Sequence, residues 1–195
     1  AKIIAITGSN GKTTTTMLCY HIFKNAGLNV GMAGNVGESM AGMVAEGNKD
    51  YLILELSSFQ LDGIVKFRPH IAILRNITPD HLDRYEYDFQ QYVNSKFQLI
   101  KNQTEEDAFI YNLDDEVVVE ELTKRKVHSK LFPFSLSKEV EQGAYANNET
   151  IIINNPFSKT IQEFVIIEIM LGDAIVKTVL ILLTLLFLYE SLCAT

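Results

Sequence analysis

The sequence is poor in cysteine and in positive charge. Its two cysteines, Cys19 and Cys193, lie far apart, so they do not form the disulfide framework of a small secreted domain. No signal-like segment precedes the first strand, and we expect reduced thiols and a cytoplasmic protein. Lys and Arg number 17 against 24 Asp and Glu, a net charge of −7. This balance argues against a nucleic-acid-binding surface, so any phosphate binding must be local.

The chain also lacks internal repeats and low-complexity linkers. At 195 residues it fits one domain, with at most a small appendage. It begins at Ala1 and enters a strand almost at once, which leads us to expect a piece of a longer protein.

An unbroken apolar run of membrane-spanning length is missing as well. Residues 164–195 are rich in apolar side chains, but Glu168, Asp173 and Lys177 interrupt every window of the ~20 residues that a bilayer-spanning helix needs. Three alternatives stay open for this tail: a buried or interface helix, a non-native or frame-shifted end, and a membrane anchor, which the length makes the least favoured. We therefore treat residues 1–163 as the domain and 164–195 as a separate tail.

A phosphate-loop pattern stands near the start of the chain. A β-branched run ending at Ile6 leads into a loop with two glycines and Gly11-Lys12-Thr13, and an apolar-periodic segment follows, which is the order strand, loop, helix. Small residues let backbone N–H groups face phosphate oxygens, Lys12 supplies a point charge, and the Thr13 hydroxyl can ligate Mg²⁺. The general motif has glycine where Ile6 stands, so this loop is a variant. The alternative is a glycine-rich turn with a surface lysine.

Apolar runs of strand length alternate with helical segments along the rest of residues 1–163. The predicted strands cover 29–33, 51–56, 70–74, 108–112 and 130–134, the predicted helices 14–25, 38–46, 89–100 and 115–124, and a hairpin joins 145–146 to 150–154. Nearly continuous apolar strands separated by helices are typical of a parallel sheet that is covered on both faces. We predict an α/β fold of the phosphate-loop type, with a mostly parallel sheet, helices on both faces and a small terminal β-hairpin.

Polar residues that could carry chemistry stand where these strands end. A phosphate loop and a strand-end carboxylate can share one Mg²⁺ beside a γ-phosphate, and Thr13 and Glu55 fit that layout. His81 lies in the polar loop after the 70–74 strand, at the edge where open α/β sheets bind ligands. Taken alone, Glu55 could be a solvent-exposed strand end and His81 a capping histidine.

Four motifs together resemble the Mur ligase family of bacterial peptidoglycan synthesis, in its central ATP-binding domain. They are residues 7–14, 34–37, 55–61 and 76–85, and they follow the family's order and spacing within residues 1–163. The Ser-Ser-Phe-Gln-Leu segment at 57–61 is most similar to that of the members that add D-glutamate. Folylpolyglutamate synthases share the general plan and are the nearest relatives to exclude.

The resemblance implies a site for ATP and two Mg²⁺ ions. Thr13 and Glu55 would hold the first ion and His81 the second. Lys96 stands where the family has a carbamylated lysine, a change that turns a cation into an oxygen ligand; it could otherwise be an ordinary surface lysine. Lys12, His81 and Lys96 would then be catalytic. The nucleotide-binding residues would be Gly8, Ser9, Asn10, Gly11, Lys12, Thr13 and Thr14.

The resemblance also implies the substrates and the reaction. Asn35 and Ser57 would contact the muramoyl substrate, although each could instead be a turn or cap residue. In the family, the carboxylate of UDP-N-acetylmuramoyl-L-alanine attacks the γ-phosphate, and the amine of D-glutamate attacks the resulting acyl phosphate. The products are an amide, ADP and phosphate.

The chain departs from the family's pattern in two respects. Members have an N-terminal domain for the uridine nucleotide and a C-terminal domain for the amino acid, which this sequence does not match. They also carry a Lys/Gln-His-Asn motif soon after the hairpin, whereas no histidine follows His128 here. We therefore expect no turnover from this chain alone. An isolated Mg-ATP-binding module, another Mur or folylpolyglutamate-type ligase and a membrane-tethered interaction protein are the alternatives.

Overall fold

The computed structural model describes residues 1–37, 39–146, 150–155, 160–165, 177–182 and 184. The chain forms two compact units, residues 1–109 with 126–130 and residues 110–125 with 131–195. The described strands are β1 (Lys2–Thr7), β2 (Val30–Gly34), β3 (Tyr51–Glu55), β4 (Ile71–Leu74), β5 (Ala108–Asn112), β6 (Lys130–Ser135), β7 (Gly143–Ala146), β8 (Thr150–Asn155) and β9 (Thr160–Val165). The described helices are α1 (Lys12–Asn25), α2 (Met40–Glu46), α3 (Ser58–Asp62), α4 (Phe89–Phe97) and α5 (Glu116–Lys124), with 3-10 helices at Leu82–Tyr85 and Gln98–Ile100.

The first unit is built on parallel strands in the order β2-β3-β1-β4. All four residues of β4 are buried, as are the last four of β1, because these strands are apolar along their whole length rather than on alternate positions. The chain turns from β1 towards β2 on one side and later places β4 on the other side of β1. The strand order therefore reverses beside β1, which is where open α/β sheets form a ligand-binding crevice.

Helix α1 begins directly after the phosphate loop and packs its buried face on the first unit's core. That face consists of Thr15, Thr16, Cys19 and Phe23. Cys19 is fully buried, and burial raises the pKa of its thiol to about 12. The helix ends at Asn25, and Gly27 follows in a left-handed conformation (φ 78°) that suits glycine.

The later strands follow in the order β5-β6-β7-β8-β9, and the second unit contains β7, β8 and β9 with most of β5 and β6. β6 and β7 are parallel, whereas β8 is antiparallel to both β7 and β9. The predicted hairpin is thus present as β7 and β8, and β9 adds a further strand. Residues 177–182 and 184 are helical, and those classed as buried are Thr178, Leu180, Ile181, Leu182 and Thr184.

The α/β prediction with a mostly parallel sheet is confirmed, and the boundaries shift by one or two residues. The predicted helix over 89–100 continues as a 3-10 turn after Phe97. Helix α3, only five residues long, has no counterpart in the prediction. The rest of the predicted tail lies outside the described residues, and the division after residue 163 stays a prediction. Within the described part of the chain, no helix is long and apolar enough to cross a membrane.

Candidate functional site

The candidate site lies where the loops after β1 and β4 meet at the carboxyl edge of the first unit's sheet. Ser9 N donates to Asn76 O at 3.0 Å, and Asn10 N donates to the Asn76 side-chain oxygen at 2.8 Å. The Ser9 hydroxyl donates to Thr78 O at 2.9 Å, and its oxygen accepts from Thr78 N at the same distance. Ser9 and Asn10 of the phosphate loop are thus hydrogen-bonded to Asn76 and Thr78, and these bonds join the two loops.

Two lysines converge on a single carbonyl oxygen in the phosphate loop. Lys12 Nζ and Lys96 Nζ each donate to Gly8 O at 2.9 Å, and Lys12 also donates to Ser9 O at 2.9 Å. Burial lowers the pKa of Lys12, and the carboxylates of Glu55 and Asp80 oppose that effect. The loop therefore concentrates positive charge in a chain whose net charge is −7.

Lys96 is a buried lysine on α4, with 2% of its surface exposed. Its ammonium lies 4.7 Å from the centre of the Tyr92 ring. Burial, and secondarily the charge of Lys12, lower the pKa of Lys96 to about 7. At neutral pH a large fraction of this side chain is thus a neutral amine, which can act as a nucleophile.

Tyr92, one turn before Lys96 on α4, supports the loop from the same side. Its hydroxyl lies 2.9 Å from Ser9 Oγ, and burial raises its pKa to about 12, so it keeps its proton. α4 therefore contributes both a lysine to Gly8 and a tyrosine to Ser9.

Glu55, the last residue of β3, carries a buried carboxylate of which only one oxygen has a hydrogen-bond partner among the described residues. Its Oε1 accepts from Asn35 Nδ2 at 2.9 Å, and its main-chain oxygen accepts from Asn35 N at 2.9 Å. Its Oε2 is buried and has no hydrogen-bond partner among the described residues, although Glu55 is 1% exposed. A buried carboxylate oxygen without a donor is costly, and a cation at this point would satisfy it.

Ser57 is the N-cap of α3. Its Oγ accepts from Gln60 N at 3.4 Å, and its N donates to Gln60 Oε1 at 2.9 Å, which together form a capping box. Ser57 therefore caps a helix in this structure, and its predicted contact with the muramoyl substrate stays a prediction. Asn35, left open in the same way, is hydrogen-bonded to Glu55 rather than to its own turn.

His81 lies at the start of the 3-10 helix in a left-handed conformation (φ 49°, ψ 33°). Its Nε2 is 3.6 Å from Asp80 Oδ2, and 57% of its side chain is exposed. The Phe59 ring lies edge-on to it, with centroids 5.3 Å apart. Glu86 and Tyr87 in the same segment also have a positive φ, so this conformation belongs to the turn as a whole and does not by itself mark His81 as functional. Among the described residues, no three His, Cys, Asp or Glu side chains group into a metal-binding cluster.

Among the described residues, side-chain hydrogen bonds join six of the twelve predicted site residues to one another, and the structure adds some residues that the sequence did not single out. In the described part of the chain, Thr13, Thr14, Ser57 and His81 are not joined in this way to another predicted site residue. Lys12 and Lys96 meet at Gly8, and Asn35 meets Glu55. The additional residues are Arg75, Asn76, Thr78 and Tyr92. A charged residue directly after the apolar run of β4 was the available signal for Arg75, whereas Tyr92 looked like an ordinary apolar position of α4.

The fold and this loop define a phosphate-loop α/β domain, and comparison with known proteins narrows the class. A family model described as the Mur ligase middle domain matches residues 6–173. The chain belongs to the Mur ligase family.

Curated relatives are similar over most of this chain. The UDP-N-acetylmuramoylalanine--D-glutamate ligase of Christiangramia forsetii is 58% identical over 151 residues, which are 77% of this chain and 34% of that protein. The enzyme of the same name from Bacteroides fragilis is 54% identical over 163 residues, which are 84% of this chain and 37% of that protein. The chain therefore spans about a third of the length of these relatives.

Solved structures share the fold at low identity. MurF ligase from Thermotoga maritima, solved in complex with ADP, aligns with a TM-score of 0.70 at 18% identity, over 97% of this chain and 46% of that one. A UDP-N-acetylmuramoyl-L-alanyl-D-glutamate--2,6-diaminopimelate ligase aligns with a TM-score of 0.69 at 20% identity, over 97% of this chain and 43% of that one.

Proposed function

We propose that this chain is the Mg-ATP-binding middle domain of a ligase that joins D-glutamate to UDP-N-acetylmuramoyl-L-alanine in the cytoplasm. The observation that carries the proposal is the convergence of Lys12 and Lys96 on the phosphate loop, beside a buried carboxylate. The choice of D-glutamate rests on relatives that are 54–58% identical and bear that name. Those names favour this acceptor over the other Mur and folylpolyglutamate-type ligases.

The phosphate loop supports the nucleotide assignment. In this proposal the backbone of residues 8–14 faces the β- and γ-phosphates at the N-terminus of α1, where the helix dipole favours anions. Lys12 would exchange its contacts with Gly8 O and Ser9 O for phosphate oxygens. Lys12 is therefore held at the loop by main-chain carbonyls before the nucleotide arrives.

The residues present fit a magnesium site. The unsatisfied Oε2 of Glu55 is a hard oxygen donor in a buried position, and the Thr13 hydroxyl on α1 is a second donor of the same kind. His81 and a carbamylated Lys96 would serve the second ion. Bound Mg²⁺ would neutralise phosphate charge while the carboxylate of the muramoyl substrate is phosphorylated.

Lys96 is chemically suited to carbamylation. Carbon dioxide reacts with a neutral amine, and the pKa of about 7 supplies one at neutral pH. The new N–C bond forms with loss of one proton from the amine to solvent, so the carbamate carries a negative charge, which the neighbouring Lys12 ammonium would stabilise. An NMR carbamate signal from isotope-labelled bicarbonate, present in the wild type and missing in Lys96→Met, tests this assignment.

The muramoyl substrate would lie on the Asn35 and Ser57 side of the site. Asn35 would orient the Glu55 carboxylate through its hydrogen bond to Oε1. The Ser57 hydroxyl already caps α3, so any substrate contact must share its oxygen with Gln60.

A titration of Mg-ATP into the full chain tests the nucleotide site. We expect saturable binding by the wild type and a loss of at least about tenfold in Lys12→Ala, equivalent to about 1.4 kcal/mol. Lys24→Ala is the matched control, because Lys24 lies at the other end of α1 and should leave the affinity unchanged. Equal affinity in the wild type and Lys12→Ala would remove the phosphate-loop assignment.

The alternative is a nucleotide-binding module without ligase activity. The coding sequence that flanks this chain distinguishes the module from the ligase. A uridine-nucleotide domain upstream and an amino-acid-binding domain downstream support the ligase. Unrelated flanking sequence supports the module.

A further inference from the structure

Arg75 is a buried cation that the proposed chemistry does not use. It follows β4 directly and is 4% exposed. Its Nη1 donates to Gly11 O at 2.5 Å and to Thr15 Oγ1 at 2.6 Å. Arg75 thus reaches from the end of β4 into the first turn of α1.

The same side chain occupies the space beside both glycines of the phosphate loop. A Cβ added at Gly11 would lie 2.4 Å from Arg75 Nη1, and a Cβ added at Gly8 would lie 3.0 Å from Arg75 Cβ. Gly11 also has a left-handed φ of 76°, which favours glycine. The loop needs glycine at these positions partly because it lies against Arg75.

Arg75 helps to fix the orientation of the peptide that joins Gly11 to Lys12. Gly11 is the N-cap of α1, and its carbonyl oxygen accepts the first main-chain hydrogen bond of the helix from Thr15 N at 3.2 Å. The same oxygen also accepts from Thr15 Oγ1 and from Arg75 Nη1, which add to the hold of the helix on this peptide. In a trans peptide the C=O and N–H groups point in opposite directions, so holding the Gly11 oxygen towards Arg75 turns the Lys12 N–H away from it.

The positive charge of Arg75 lies at a position that is electrostatically unfavourable in the protein without a nucleotide. A cation at the N-terminus of a helix opposes the helix dipole. Arg75 and Lys12 both contact main-chain oxygens within residues 8–11, and Lys96 adds a further positive charge there in its protonated form. A polyphosphate bound at the loop would offset this crowding, whereas an uncharged ligand would not.

We propose that Arg75 is a positioning residue for the polyphosphate of the nucleotide, which orients the Gly11–Lys12 peptide and adds a fixed positive charge beneath the phosphate loop. This inference rests on the proposed nucleotide-binding function. It is separate from that function, because it concerns the support that Arg75 gives to the loop through Gly11 O and Thr15 Oγ1.

Calorimetric titration of Mg-ATP into the full chain tests the proposal. We expect Arg75→Leu and Arg75→Gln to weaken binding roughly 10- to 100-fold, the range for charge-assisted hydrogen bonds. Arg75→Lys, which keeps the charge and a donor, should restore the affinity to within roughly threefold of the wild type. Arg68→Leu is the matched control at the opposite end of β4, where Arg68 binds Asp107 instead of the loop, and it should bind like the wild type.

Hydrogen exchange in the absence of nucleotide gives a second readout. The amides of residues 12–16 should exchange faster in Arg75→Gln than in the wild type and Arg68→Leu. Arg75→Gln carries the test if Arg75→Leu does not fold.

The outcomes separate the two proposals. A wild type that does not bind Mg-ATP removes the proposed function and this inference with it. A wild type that binds, with Arg75→Gln equal to it in affinity or in amide exchange, overturns the role of Arg75 alone. An Arg75→Lys variant as weak as Arg75→Gln also overturns it.

Discussion

At the scale of single residues, the Gly8 carbonyl is the centre of the site. It accepts hydrogen bonds from Lys12 and Lys96, which approach from α1 and α4. Two ammonium groups on one oxygen repel each other, and only one of the two lysines is deeply buried. The lower pKa therefore falls on Lys96, where burial and repulsion act together.

The pKa of Lys96 predicts a stability that rises with pH. Its folded-state value of about 7 is below the ordinary 10.5, so between these pH values the unfolded chain binds a proton that the folded chain does not. The cost of burying the ammonium is complete below about pH 7 and disappears as the pH rises to about 10.5. Between about pH 6.5 and about pH 9.5, the wild type should gain ~2–3 kcal/mol of unfolding free energy relative to Lys96→Met.

Denaturant titrations of the two proteins across this range provide the measurement. Lys101→Met, in the exposed segment after α4, serves as the control and should follow the wild type at every pH. A constant difference between the wild type and Lys96→Met would show that Lys96 is charged throughout the range.

At the scale of elements, the strands were more predictable than the short helices. Each predicted strand of residues 1–135 is present, with boundaries that differ by at most one or two residues. Unbroken apolar runs such as Ile71–Leu74 are buried on both faces, as the strands of a covered parallel sheet are. Helix α3 was not predicted because five residues are too few to show the periodicity of a helix. The capping box of Ser57 and Gln60 was its sequence signal, but the family resemblance assigned Ser57 to the substrate.

The capping role of Ser57 can be measured apart from any substrate role. Ser57→Ala should lower the unfolding free energy by about 1 kcal/mol, because the Gln60 N–H loses its acceptor. Ser57→Asp retains an acceptor at the N-cap and should keep the stability near that of the wild type. Both variants should bind Mg-ATP like the wild type. Equal stability of Ser57→Ala and the wild type would argue against the cap.

At the scale of the whole molecule, the first unit holds all the predicted site residues. The family motifs lie in or beside the segments that follow β1, β2, β3 and β4, so the sequence could predict that their residues gather at one edge of the sheet, whereas their chemical roles stay predictions. It could not predict Arg75 or Tyr92, because their contacts with Gly11 and Ser9 depend on the docking of β4 and α4 around the loop. Such contacts join residues more than sixty positions apart, so the charge that follows β4 marks the position of Arg75 in the sequence but not its contact with Gly11.

We expect no ligation from this chain alone. It matches about a third of the length of its ligase relatives, and the family resemblance assigns the uridine nucleotide and the amino acid to other domains. An assay of ADP formation with Mg-ATP, UDP-N-acetylmuramoyl-L-alanine and D-glutamate should give no signal above the background without substrates. The full-length ligase of Bacteroides fragilis, run in parallel, is the positive control. ADP formation that requires both substrates would contradict this expectation.

The reactivity of the buried Cys19 thiol measures how often α1 detaches from the core. A thiol with a pKa of about 12 and no exposed surface reacts with alkylating reagents only when the helix detaches from the core. α1 carries the phosphate loop at its first turn, so a ligand that holds the loop also holds the helix closed. Occupancy of the loop should therefore slow the alkylation of Cys19, and mass spectrometry can measure that rate without any label on the nucleotide.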